Sequence, residues 1–208
     1  SASMETLRQR LQAEPGVAGV TFASALSQVY HAERRISVES KSDSALFWVS
    51  TARIDPGYFT VLQAPIIAGR AFTSGDLSRD VRVVIVDEGF AALVMPGRNV
   101  IGQRVRISTT TKVDSNWAEL PWYEIVGLVK ELGMAPALER APTAGVYVPI
   151  VPGSRTALNM MVRGRGDPLA IGPRVRDLAA AVEPALRIEQ ITRLDQLKNP
   201  ILWFIGLW

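Results

Sequence analysis

One histidine and no cysteine limit the chemistry open to this chain. His31 stands in the polar run Tyr30-His31-Ala32-Glu33-Arg34-Arg35 and reads as a solvated turn residue. With no second imidazole and no thiol beside it, it can build neither a paired-histidine metal site nor a thiolate nucleophile. A serine nucleophile would need His31 as its base, and no Gly-x-Ser-x-Gly elbow occurs to present one. Asp87-Glu88 is an adjacent carboxylate pair, but glycoside chemistry needs two carboxyls facing each other across a cleft, so helix capping is the better account of Asp87. There is no Gly-x-x-x-x-Gly-Lys-Ser/Thr, hence no P-loop in this chain. Gly164, Gly166 and Asp167 lack the third glycine of a phosphate loop and read as a turn with an N-cap, with Arg163 and Arg165 solvated beside it. Trp48, Trp117 and Trp122 are scattered, as core or contact residues are. No catalytic, cofactor-binding or metal-ligating residue is assigned, and the chain is expected not to be an enzyme. An unfamiliar carboxylate site would have to show itself as two close, buried carboxyls with raised pKa in a deep pocket.

The elements that would position any site follow from composition and periodicity. The chain has 208 residues, 48% of them apolar, which is material for one large domain or two lobes. Its 23 basic and 20 acidic residues are spread evenly, giving +3 and no stripe for nucleic acid. Absence of cysteine leaves the redox compartment open. Residues 1–15 lack the apolar core of a signal peptide, and no stretch reaches the roughly 20 apolar residues of a spanning helix, so the fragment is expected to be soluble. The end differs: residues 201–208 carry no charge and include Trp203 and Trp208, so they read either as the approach to a membrane helix or as a segment packed back on the core.

Met4, Leu7 and Leu11 give residues 3–14 a helical face stopped by Pro15-Gly16, and residues 17–23 then read as a strand. Near the other end, Ile171, Val175, Leu178 and Val182 mark a second helix, with Asp167 as its N-cap and Pro168 at its first position. Residues 157–163 read as a strand before it and 186–191 as a strand after Glu183-Pro184. The layout of helix, Glu-Pro and strand thus occurs twice, a weak internal repeat. Between the copies, strands are predicted over 34–39, 46–54, 81–86, 104–108, 122–129 and 145–150. Short helices fit at 56–62, after Asp55 as a cap, and at 87–94; residues 109–120 read as a hairpin tip or mobile loop. If the flanking repeats share a sheet, they make one lobe from residues 1–54 and 155–199, with 55–154 inserted as a second. The chain would cross between the lobes near Asp55 and Pro152.

The motifs in the middle resemble a known family. Asp55-Pro-Gly-Tyr58-Phe59, then Leu62, Pro65, Gly69-Arg70-Ala-Phe72 and Thr73, is similar to the signature of MacB-like periplasmic core domains. In order follow Val84-Ile-Val-Asp-Glu88, Met95-Pro96-Gly97, Ile101-Gly102-Gln103-Arg104-Val105, Tyr123-Glu-Ile-Val126-Gly127 and Val146-Tyr147-Val148-Pro149. Glu14-Pro15-Gly16-Val17 and Gly166-Asp167-Pro168, with Thr192-Arg-Leu194-Asp195, extend the likeness over residues 4–198. Pro56-Gly57 and the polar 116–120 stretch depart from the usual pattern and affect loop shape only.

The resemblance implies an α+β module of two lobes: a porter-like lobe of split strand–helix–strand repeats (1–54 with 155–199) and an inserted mixed, sabre-like lobe (55–154). Residues 200–208 would begin a membrane-proximal or transmembrane segment. It further implies the extracytoplasmic part of a MacB/FtsX-type ABC transporter permease in the cytoplasmic membrane, coupling ATP hydrolysis to movement outside for export or mechanotransmission. The implied partners are its own transmembrane helices, a cytoplasmic ATPase, a second permease copy and a periplasmic adaptor or cargo; no cofactor and no nucleic acid are implied. The alternative is a stand-alone periplasmic binding or adaptor module, distinguished by the absence of membrane helices on either side.

Overall fold

The computed structural model describes residues 2–26, 30–39, 46–108, 117–136, 144–153, 158–167, 169–184, 188, 191 and 193. In chain order the elements are α1 (Ala2–Gln12), β1 (Val17–Ala23), β2 (Tyr30–Val38), β3 (Phe47–Ile54), α2 (Tyr58–Val61), β4 (Ile66–Gly69), β5 (Val83–Asp87), α3 (Glu88–Val94), β6 (Arg104–Ile107), β7 (Trp122–Val129), β8 (Ala135–Pro136), β9 (Gly145–Pro149), β10 (Asn159–Gly164) and α4 (Gly172–Val182). The mixed, sheet-dominated architecture is the α+β class expected from the sequence. The expected strand at 186–191 lies largely outside the described residues, as do Pro168, 109–116 and 201–208.

The strand pairings close on themselves. β3 runs antiparallel to β2 along one edge and parallel to β9 along the other. β9 passes to β5, β5 to β7 and β7 to β6, and β6 returns to β2. The six strands β2, β3, β9, β5, β7 and β6 therefore form a closed barrel, an arrangement that removes open edges. Alternation along each strand sends Ile36, Val38, Val49, Val84, Val86, Val105, Ile125 and Val146 to one side, where they form a single buried cluster with Phe90 and Val94 of α3. All five residues of β5 are buried, because this strand is covered on both faces.

The opposite face of the same strands carries a second cluster, in which Ala52, Ile54, Ile85 and Tyr147 meet Tyr58, Phe59 and Phe72. The rings of Tyr58, Phe59 and Tyr147 lie 5.0 to 5.9 Å apart, two of the three pairs edge to face. This contact holds the Asp55–Phe59 motif against the barrel wall. Arg70 then grips Asp76 through Nη1–Oδ2 at 2.6 Å and Nη2–Oδ1 at 3.0 Å. The guanidinium holds the Asp76 carboxyl well below its ordinary range, at about 2.

A third cluster lies apart from the barrel. β1 pairs antiparallel with β10 from Ala23↔Asn159 to Val17↔Gly164. Leu7 and Leu11 of α1 pack with Val17 and Val20 of β1 and with Val175, Leu178 and Ala179 of α4. This layer, α1, β1, β10 and α4, meets β3 in sheet register at one pair, Ala23↔Ile54. β2 and β3 are barrel staves, although both fall within residues 1–54.

Three local expectations change. His31 is fully buried in β2, not in a solvated turn, because β3 and β8 flank the strand on which it lies. Asp55 does not cap α2, whose N-cap is Gly57 with no side-chain bond. α4 starts at Gly172 after Ile171, with Pro173 in its first turn, while Asp167 Oδ1 accepts the Leu169 N–H at 3.0 Å in the preceding turn.

Because Phe90 is fully buried where α3 meets the barrel interior, Phe90→Ala should lower the unfolding free energy by about 3–5 kcal/mol in urea denaturation.

Candidate functional site

With no catalytic set in the sequence, the polar groups taken out of water are where function would be built. Three of them are carboxylates; Asp76 is held by Arg70, and the other two are Asp87 and Asp55. Asp87 ends β5 and caps α3, and its Oδ1 accepts the N–H of Phe90 at 2.8 Å and that of Gly145 at 2.9 Å. It thus ties the start of α3 to the start of β9. Only glycine fits opposite it, since a Cβ on residue 145 would stand 2.3 Å from Asp87 Oδ2. Burial, the largest influence, pushes the Asp87 carboxyl up to about 6, against the pull of the Gly145 and Phe90 N–H groups, and Glu131 adds a smaller push.

Asp55 is the second. Following β3 and 7% exposed, it sits where the α1–β1–β10–α4 layer meets the barrel. Its backbone N–H donates to Phe22 O at 3.1 Å, and Thr21 Oγ1 donates a short hydrogen bond to its Oδ1. Arg8 Nη1 reaches to 3.5 Å from its Oδ2. Burial raises this carboxyl, while Thr21 and then Arg8 oppose the rise. The groups acting on Asp55 and on Asp87 are different residues, so the two carboxyls occupy separate sites and form no acid–base pair.

The same junction carries other contacts across the layer. Gly19 of β1 lies against α2 so closely that a Cβ there would come within 2.9 Å of Val61 Cγ2. Arg163 and Arg165, expected in solvent, turn to backbone carbonyls instead: Arg163 Nη1 donates to Val61 O at 3.4 Å and Arg165 Nε to Val17 O at 3.3 Å. Within the layer, Arg174 pairs with Glu14 at 2.8 Å and Ser3 Oγ donates to Glu183 at 3.3 Å, so α1 and α4 are fastened together.

Trp48 and Trp122 are half-buried on the outer wall, each under a guanidinium: Arg35 lies 4.6 Å from the Trp48 ring centre and Arg106 lies 4.0 Å from that of Trp122. Trp117 begins a single 3-10 turn before β7. Among the described residues no group of three or more His, Asp or Glu could hold a metal ion. No described helix is long and apolar enough to cross a membrane.

Comparison with known proteins agrees with this geometry. The sequence matches the MacB-like periplasmic core domain family over residues 2–194. Solved structures that share the fold include three transporter or permease domains. The periplasmic region of MacB from Actinobacillus actinomycetemcomitans has a TM-score of 0.58 at 16% identity, covering 86% of this chain and 73% of that one. The extracellular domain of the noncanonic ABC-type transporter YknZ from Gram-positive bacteria gives 0.55 at 17%, covering 86% and 80%. A domain of a permease protein from Porphyromonas gingivalis gives 0.53 at 18%, covering 92% and 87%. No curated protein matches the sequence.

The Asp87 carboxyl provides a pH test. Its folded pKa of about 6 stands above the ordinary 3.8, so the folded chain binds the extra proton between those values. This contribution is full below pH 4 and is lost as pH rises through 6, about 3 kcal/mol in all. Asp87→Asn should flatten the fall in urea midpoint between pH 4 and 6; an unchanged slope would assign it to other groups.

Proposed function

The chain belongs to the MacB-like periplasmic core domain family, a module of MacB/FtsX-type ABC transporter permeases, and from that premise we propose that it is the passive outer arm of such a permease. ATP hydrolysed by a cytoplasmic ATPase moves membrane helices beyond the ends of this segment. The α1–β1–β10–α4 layer follows them and turns against the barrel, which is displaced as a rigid body outside the membrane, for export or mechanotransmission. A second permease copy and a periplasmic adaptor or cargo are the surfaces on which that displacement acts.

The narrow join carries this reading. A barrel and a helical layer, each with a buried cluster of its own, meet in register at the single pair Ala23↔Ile54; around it lie the contacts of Asp55 and Val61 and the packing of Ala23 and Met161 into the cluster on the barrel's outer face. Rigid bodies joined by a small interface rotate rather than deform. The expected division into a porter-like lobe (1–54 with 155–199) and a sabre-like insertion (55–154) enters this proposal with its boundary moved: the α1–β1–β10–α4 layer is the porter-like part, and β2 and β3 go with the barrel they help to close. Transport at such an arm requires no bond making, and nothing in the buried carboxylates is arranged for it.

Placement is tested on the full-length parent protein. Ile67, on β4, is 48% exposed, and this segment has no native cysteine to compete with a new one. Ile67→Cys should react in spheroplasts with a membrane-impermeant maleimide. Labelling that requires lysis would overturn the outer placement, and recovery of the parent protein in the water-soluble periplasmic fraction would favour a stand-alone binding or adaptor module.

A further inference from the structure

The junction holds a charged contact that is only partly made. Arg8 projects from α1 between two carboxylates: its Nη2 lies 2.5 Å from Glu5 Oε2 on its own helix, and its Nη1 lies 3.5 Å from Asp55 Oδ2 across the join. Arg8 Nε and Asp55 Oδ2 are both buried, and neither has a hydrogen-bond partner. A guanidinium–carboxylate bond is best at about 2.7–2.9 Å, and a buried carboxylate oxygen left without a donor costs free energy. The contact therefore stands a fraction of an ångström from closing.

The Asp55 side cannot supply that movement. Thr21 fixes Oδ1, the Phe22 carbonyl fixes the backbone N–H, and Ile54 is paired with Ala23. Movement must come from α1, which is tied to α4 through Glu14–Arg174 and Ser3–Glu183. Glu5 opposes it by holding the same guanidinium back on the helix.

We propose that Arg8 is a two-position latch, shared between Glu5 and Asp55, that fastens the α1–α4 layer to the barrel. With Arg8 on Asp55 the layer is locked to the end of β3; with Arg8 on Glu5 it is free to turn. As a control on the arm's motion the latch rests on the function proposed above. Its existence in the chain does not, and it can be read without any membrane or ATPase.

The test is amide hydrogen exchange on the 208-residue chain. Asp55→Asn and Arg8→Gln should each lower protection of α1 and α4 amides about ten-fold while Ile85 and Val146 in the barrel keep theirs. The double variant should lose no more than either single one, since both remove one contact. Glu5→Gln should have the opposite sign, raising α1 protection two- to five-fold by releasing Arg8 to Asp55. A packing role alone would not produce that rise. Additive losses, or unchanged or lower protection in Glu5→Gln, would overturn the latch.

A variant that loosens the whole chain is resolved by a covalent reclosure. A Cβ on residue 19 would lie 3.7 Å from Val61 Cβ, within disulfide range, so Gly19→Cys with Val61→Cys can bridge the join. Oxidation of that pair should restore α1 and α4 protection in the Asp55→Asn background. Protection that stays low with the bridge formed would place the defect outside the latch and refute it.

Discussion

Closure of the six-stranded barrel is the constraint from which the rest of the molecule follows, and β3 is the strand that enforces it. One edge of β3 takes β2 and, at its last residue, β1; the other takes β9. Its inward side chain Val49 joins the interior, and its outward Ala52 and Ile54 face the aromatic contact of Tyr58, Phe59 and Tyr147. A register slip of one residue would exchange these two sets, turning Trp48 and the Ser50 hydroxyl into the barrel and Val49 out of it. The strand ends beside Asp55, where the proposed motion of the layer against the barrel would be centred.

The buried polar groups fit a mechanical part better than a chemical one. Asp87 ties two backbone N–H groups from distant segments into the barrel, and Asp76 is clamped in two points by Arg70. Both serve to hold chain in place. At Asp55 the same type of group is less fully satisfied, and it stands where the helical layer meets the barrel. A contact with an unmade bond can exist in two arrangements, as a joint requires.

Much of the fold was legible because it is written locally. The spacing of Leu7 and Leu11 gave α1, Asp87 before Phe90 gave the capped start of α3, and Trp122–Val129 was read with its observed ends. The motifs around Tyr58-Phe59 and Tyr147 carried the family. What escaped was non-local or short. β8 spans two residues, too few for a period to show, and β4 is a half-exposed run, Ile66–Gly69, between Pro65 and Arg70. His31 looked solvated amid Glu33, Arg34 and Arg35, because burial of a strand depends on distant partners, here Thr51 of β3 and Pro136 of β8. Asp55, beside Pro56-Gly57, carried an ordinary capping signal, and only pairing of β1 with β3 turned its side chain to Thr21 instead. Barrel closure had no local signature at all.

The central claim is that the helical layer turns against a rigid barrel when ATP is used elsewhere in the permease. Spin labels at Ile67→Cys on the barrel side and Leu169→Cys before α4, both at exposed positions, would measure it in the full-length permease with its ATPase in nanodiscs. The account predicts that the label-to-label distance distribution shifts when ATP is bound and returns after hydrolysis. A distribution unchanged through the ATP cycle would contradict it.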